Sequence, residues 1–175
     1  MQKDILTDKT KIFLCGLSRT GKNSVTCALT QLGFGPSIRF PMSYDSISKY
    51  QICSDLSVIF WMDRLLMEYP SSYWILTLRD TEDWLRDCQS FFNRDLNHFP
   101  AELTEQMLYY REQIYGSRVY EEALWRDTYN RHKDHVLSLI PHSQILTIDL
   151  GDSYVEGAGD SFTSNNYKSI IYTGP

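Results

Sequence analysis

Residues 11–35, KIFLCGLSRTGKNSVTCALTQLGFG, decide the fold. Lys11 to Leu17 reads as the first strand, an apolar run flanked by charge. A run apolar on both faces suits a central strand of a parallel sheet, covered by helices on each side. Two glycines, Gly16 and Gly21, bracket a polar turn. Beyond it Val25, Ala28, Leu29 and Leu32 recur at i, i+3, i+4 and i+7, the spacing of one helix face, and Gly33 supplies a stop. The stretch therefore reads as strand, tight turn, helix. Gly16 to Lys22 also has the form G-x-x-x-x-G-K, a nucleotide-phosphate loop. In nucleoside-triphosphate sites the next residue is a hydroxyl that holds Mg²⁺, and here it is Asn23.

Outward from this stretch, strands and helices alternate. Ser37 to Phe40 reads as a short strand before Pro41. Leu56 to Tyr69 reads as one buried helix that Pro70 ends. YWILTL, Tyr73 to Leu78, is the second clear strand. Asp80 or Thr81 caps the helix that follows, with Glu82 and Asp83 in its first turn. Helices are expected over Ala101–Tyr115 and Val119–Leu139, and a last strand over Gln144–Ile148. Strands separated by helices pair in parallel through right-handed crossovers. The expected fold is a three-layer α/β sandwich around a central, mainly parallel sheet, of the P-loop nucleotide-binding type. Residues 1–150 form one domain, and 151–175, rich in Gly, Ser, Asn and Tyr, form an irregular tail.

At 175 residues the chain can bury one core, and a 42% hydrophobic content is that of a globular interior. A net charge of −5 argues against nucleic acid or an anionic membrane as partner. No apolar run approaches a membrane span, and MQKDILTDKTK contains no apolar signal region, so a cytoplasmic protein is expected. Cys15, Cys27, Cys53 and Cys88 form no C-x-x-C pair and no metal pattern with histidine, which points to reduced, mostly buried thiols.

The turn carries chemistry. A strand that turns tightly into a helix aims backbone N–H groups and the helix dipole at one point. Gly16 and Gly21 let the backbone curl, Arg19 and Lys22 add charge, and Thr20, Asn23 and Ser24 add neutral donors. Ligands of such sheets bind beyond the carboxyl ends of the strands, where this turn, Arg79 and Asp149 all fall.

GLSRTGKNSV followed by LGFG resembles the G-L-P-R-T-G-T-T-S-L … L-G-F loop of the P-loop sulfotransferases. YPSSYWILTLRDTEDWLRDCQSFF is similar to that family's Y-P-x-x-K-F-I-L-T-x-R-D-P-x-x-W segment, and YNRHKDHV with ILTID to its closing helix and strand. The resemblance runs from Lys11 to Asp149. It implies transfer of a sulfuryl group from 3′-phosphoadenosine 5′-phosphosulfate (PAPS) to a hydroxyl or amine of a small-molecule acceptor. The product is adenosine 3′,5′-bisphosphate (PAP), and no metal is expected. The donor's phosphosulfate falls to Ser18, Arg19, Thr20, Gly21, Lys22, Asn23 and Ser24, and its 3′-phosphate to Arg79 with Ser90. Arg19 or Lys22 stabilises the developing charge, and Asp55 is the candidate general base.

The chain departs from the family at Ser18 (Pro there), at Lys22–Asn23 (Thr-Thr) and at Asp87, where the family has a serine on the 3′-phosphate. A carboxylate at that position repels a phosphate. A non-catalytic nucleotide- or partner-binding relative, and a kinase or NTPase using Lys22 and Asp149, stand as alternatives. Tyr109, Tyr110, Tyr115, Tyr120 and Tyr129 either line an aromatic acceptor pocket or, the preferred reading, pack helices and keep their hydroxyls wet. His98, His132 and His135 read as solvated. The acidic balance points to a neutral or cationic acceptor.

Overall fold

The computed structural model describes residues 10–93 and 100–151. The expected tail, apart from Gly151, and His98 lie outside the described residues. In chain order the elements are β1 (Ile12–Leu14), α1 (Lys22–Gln31), β2 (Ser37–Arg39), a 3₁₀ turn (Tyr44–Lys49), β3 (Ile52–Ser54), α2 (Leu56–Phe60), α3 (Met62–Glu68) and β4 (Tyr73–Leu78). They continue with α4 (Thr81–Phe92), α5 (Ala101–Tyr115), α6 (Glu122–Leu139), a second 3₁₀ turn (His142–Gln144) and β5 (Ile145–Asp149).

All strand pairs are parallel, in the order β2-β3-β1-β4-β5. Phe13 of β1 lies opposite Cys53 of β3 on one side and Trp74 of β4 on the other. The pleat then divides β1 between two cores. Ile12 and Leu14 join Ile52, Ile75, Ile148 and Val25, under α1. Phe13 and Cys15 join Trp74, Leu76, Met62, Leu65, Val136 and Ile140, under α3 and α6. The three-layer sandwich is therefore present. Each fully buried side chain of this size contributes about 1.5–3 kcal/mol.

A third cluster lies beyond the carboxyl ends of the strands and supports the site. It joins Leu17, Leu56, Trp84, Leu85, Tyr110, Tyr115, Trp125 and Tyr129. Trp125 stacks on Tyr115 with ring centroids 3.9 Å apart, and Trp84 lies 4.6 Å from Tyr129.

Two elements differ from expectation. β3 is a strand where none was read. The Leu56–Tyr69 helix is broken at Trp61, which leaves helical geometry at φ −97°, ψ 11°. The break lets its indole wedge between Tyr44 and Tyr110, at 5.4 and 5.9 Å. Among the described residues no helix is long and apolar enough to cross a membrane.

Candidate functional site

β1 and β4 are neighbours, yet their crossovers leave in opposite directions, one to β2 and β3, the other to β5. A crevice opens at such a switch point, at the carboxyl ends of the strands. The loop after β1 carries residues 15–21, and the link after β4 carries Arg79.

Close contact between the loop and β4 sets the loop's path. A Cβ built on Gly16 would meet Thr77 Oγ1 at 2.0 Å and the Thr77 carbonyl at 2.7 Å, so only glycine fits. Arg19 and Gly21 are both left-handed, with φ 65° and 82°. Arginine in that region is strained and is held there by the surrounding contacts. Those contacts take up four consecutive carbonyls. Lys22 Nζ donates to Gly16 O at 2.7 Å and Leu17 O at 2.8 Å. Trp84 Nε1 donates to Ser18 O at 2.7 Å, and Arg79 Nη1 to Arg19 O at 3.0 Å. The planar peptide puts the amide following each carbonyl on the opposite side. α1 opens at Gly21 with no side-chain cap, so its dipole and first-turn amides face the crevice.

Two tyrosines expected to keep wet hydroxyls instead hold these loops. Tyr115 Oη accepts from the Ser18 amide at 2.9 Å. Tyr129 Oη accepts from the Arg79 amide at 2.9 Å and donates to the Arg79 carbonyl at 2.6 Å. Burial raises both phenol pKa values, so the hydroxyls stay protonated.

Arg19 and Arg79 meet on one carboxylate. Asp87 accepts from Arg19 Nε at 2.9 Å and Nη2 at 3.2 Å, and from Arg79 Nη1 at 3.0 Å. Burial pushes the Asp87 carboxyl up, but the hydrogen bonds and charge of Arg19, then of Arg79, outweigh it and hold the pKa below its ordinary value. Asp87 thus stands where repulsion of a phosphate was expected, neutralising the cations that would hold one.

Lys22 is placed differently from a loop cation aimed at a ligand. It is 5% exposed, and its ammonium is turned back onto the loop's own carbonyls, 3.7 Å from Asp55. Burial lowers its pKa, and the Asp55 charge opposes that shift. Asp55 borders the crevice at φ 99°, and its carboxylate accepts from the Leu56 amide at 2.8 Å. Thr20 is buried, donating to Leu17 O and paired with Thr77 Oγ1 at 2.6 Å. Ser18, Gly21 and Asn23 line the crevice. Ser24 follows on α1, where its amide donates to Gly21 O. Ser90 is exposed on α4 and is not among the crevice's lining residues.

The crevice holds about 250 Å³. Its outer wall was not read from the sequence. It consists of Phe40, Phe91 and Phe92, with Leu103, Met107 and Arg111 of α5. The spacing i, i+4, i+8 on α5 was the only available signal.

Arg79 pairs with Asp87, while Asp80 is engaged as the cap of α4, accepting from the Glu82 and Asp83 amides. One other expectation changes. His132 is not solvated. Its Nε2 lies 2.6 Å from Cys15 O, and burial lowers its pKa to about 4. Asp149 is exposed and accepts from the Gly151 amide. Among the described residues no cluster of histidine, cysteine and carboxylates is placed to hold a metal ion. Cys15, Cys53 and Cys88 are buried free thiols, while Cys27 is exposed.

Comparison with known proteins gives matches of two kinds. A family profile described as "Sulfotransferase domain" matches residues 42–156, more than half of the chain, beginning downstream of the Gly16–Lys22 loop. Among solved structures, the crystal structure of a sulfotransferase from Alicyclobacillus acidocaldarius superposes with a TM-score of 0.51 at 14% identity. The match covers 80% of this chain and 72% of that one, and it shows a shared fold. No curated protein matches the chain.

Proposed function

Because the chain belongs to the sulfotransferase domain family, we propose that it transfers a sulfuryl group from PAPS to a hydroxyl or amine of a small-molecule acceptor, with residues 1–150 as the working unit. The observation that carries this reading is the meeting of Arg19 and Arg79 on one carboxylate. Two loops after neighbouring strands each bring a guanidinium within reach of a single anion. That is the charge arrangement a donor with two anionic ends needs.

The residues present fit such a donor. Residues 18–24 suit the phosphosulfate, because α1 opens there uncapped. Arg79 suits the 3′-phosphate, which has to compete with Asp87 for it; Ser90 adds little from its exposed position. The donor supplies the sulfuryl group, and the protein binds, orients and stabilises charge. Arg19 stabilises the oxygens on which charge grows. Lys22 holds the loop's curve through Gly16 and Leu17 and fixes Asp55. Asp55, at the crevice, takes the proton from the acceptor as general base.

One observation favours a second reading, a relative that binds a nucleotide or partner without turnover. Asp87 already occupies both arginines. Calorimetric titration with adenosine 3′,5′-bisphosphate, against ATP with and without Mg²⁺, separates the cases. Metal-independent binding of the bisphosphate, followed by turnover in an acceptor screen, supports the sulfotransferase reading. Bisphosphate binding without turnover on any acceptor favours the second. Binding of Mg·ATP alone overturns both and points to a kinase or NTPase.

A further inference from the structure

Arg111 is the cation of the crevice that the donor reading does not use. It sits on the α5 face that Leu103 and Met107 share, so this wall is apolar at two turns and cationic at the third. The residue is 2% exposed. Its guanidinium lies over the Phe92 ring, 4.3 Å from the centroid. Its one hydrogen bond among the described residues is a long one, 3.4 Å from Nη1 to Arg118 O. Nη2 is buried without a hydrogen-bond partner.

The other crevice cations are matched by acids. Arg19 has Asp87, and Lys22 has Asp55. Among the described residues Arg111 pairs with no carboxylate. Burial lowers its pKa, with only Tyr115 and Cys88 opposing the shift. A guanidinium is charged at any physiological pH. Buried charges are ordinarily paired, because an unmatched one forfeits its hydration. A buried guanidinium at the edge of an open crevice, paired with no carboxylate among the described residues, therefore has its charge open to an anion from outside the fold.

We propose that the α5 wall binds an acceptor that is itself anionic, an apolar body ending in a carboxylate, sulfate or phosphate that pairs with Arg111. Phe40, Phe91, Phe92, Leu103 and Met107 hold the apolar body. Arg111, stacked on Phe92, presents a planar fork to the anionic end. This reverses the neutral or cationic acceptor that overall charge suggests, because local pairing outweighs a net charge of −5 spread over the surface. The inference rests on the sulfotransferase reading only in calling the ligand an acceptor.

The test uses the full chain and matched probes of equal length, 3-(4-hydroxyphenyl)propanoate, its amide, and the corresponding amine, with 4-hydroxybenzoate and its amide as a shorter pair. Binding is followed by calorimetry. At least one acid is expected to bind about tenfold more tightly than its amide, and the amine more weakly than both. Arg111→Met should erase the difference between acid and amide, and Arg111→Lys should keep part of it. Comparison of acid with amide on the unmutated chain needs no variant to fold. Equal binding of acid and amide, no binding by either acid, or an acid preference that survives in Arg111→Met overturns the proposal. An equal loss of adenosine 3′,5′-bisphosphate affinity in Arg111→Met, with no acid preference, would assign Arg111 to the nucleotide and overturn it as well. An acid preference without any bisphosphate binding upholds the anion site and removes the donor reading.

Discussion

Asp87 grips Arg19 at two points, with Nε at 2.9 Å and Nη2 at 3.2 Å from its two carboxylate oxygens. Its Oδ2 also receives Arg79 at 3.0 Å. A single residue of α4 thus spans the loops after β1 and β4. It keeps both cations ordered, and it also competes with any phosphate that approaches them.

This competition makes Asp87→Ser a gain-of-binding variant. A carboxylate about 4 Å from a phosphate costs between about 1 kcal/mol in water and about 4 kcal/mol at partial burial. The serine also offers a hydroxyl donor. Adenosine 3′,5′-bisphosphate should bind Asp87→Ser at least about tenfold more tightly, as read by calorimetry. Unchanged or weaker binding would mean that Asp87 organises Arg79 for the ligand instead of blocking it.

The loop itself was legible in the sequence because its signals are local. The apolar run within Lys11–Leu17, the glycines at 16 and 21 and the periodic residues of α1 fall within one short segment, and they gave strand, turn and helix in order, with the strand itself shorter than read, Ile12–Leu14. Asp80 was likewise readable as a cap from its place before Glu82 and Asp83. β3 was not readable, because Ile52–Ser54 is too short to show a period and exists through its pairing with β1 and β2. The tyrosine clamps were hidden for a related reason. Tyr115 lies 97 residues from Ser18, and Tyr129 lies 50 from Arg79, so no window of sequence contains both partners. Asp87 showed in the sequence as a conflict with the family pattern. Its resolution, a shared ion pair with Arg19 and Arg79, needed the fold.

Tyr115→Phe removes the acceptor of the Ser18 amide while leaving the aromatic stack on Trp125 intact. A buried amide left without its partner costs about 1–3 kcal/mol. Urea unfolding should show a loss of that size, and bisphosphate affinity should fall several-fold as the loop loosens. An unchanged affinity beside reduced stability would separate the clamp from the site.

Arg19→Ala and Lys22→Ala should each weaken donor binding more than about tenfold, by different routes. Arg19 is a direct ligand in the proposed site, and Asp87 keeps Arg79 when Arg19 is lost. Stability should therefore change little in Arg19→Ala. Lys22 is buried against two carbonyls and Asp55, so Lys22→Ala breaks a buried network and should cost about 3–5 kcal/mol of stability. Calorimetry read beside urea unfolding distinguishes the two. Near-normal donor binding in both variants would remove the loop from the site.

His132 gives the fold a pH dependence in the acid range. Its Nε2 lies 2.6 Å from the Cys15 carbonyl, which can only accept, so Nε2 carries the proton. Burial is the main cause that lowers its pKa from 6.5 to about 4; the carbonyl hydrogen bond opposes this, and the charges of Lys22 and His135 add to it. Between those values the unfolded chain binds a proton that the folded chain does not. Stability therefore falls as pH falls from 6.5 towards 4 and levels off below, where both states are protonated. At about 1.4 kcal/mol per unit, the shift accounts for roughly 3 kcal/mol. His132→Gln keeps an N–H donor for Cys15 and removes the titration. Urea unfolding across pH 7 to 4 should show the unmutated chain losing about 3 kcal/mol more than the variant. Parallel profiles would mean that the buried ring takes up its proton in the folded state near its ordinary pKa.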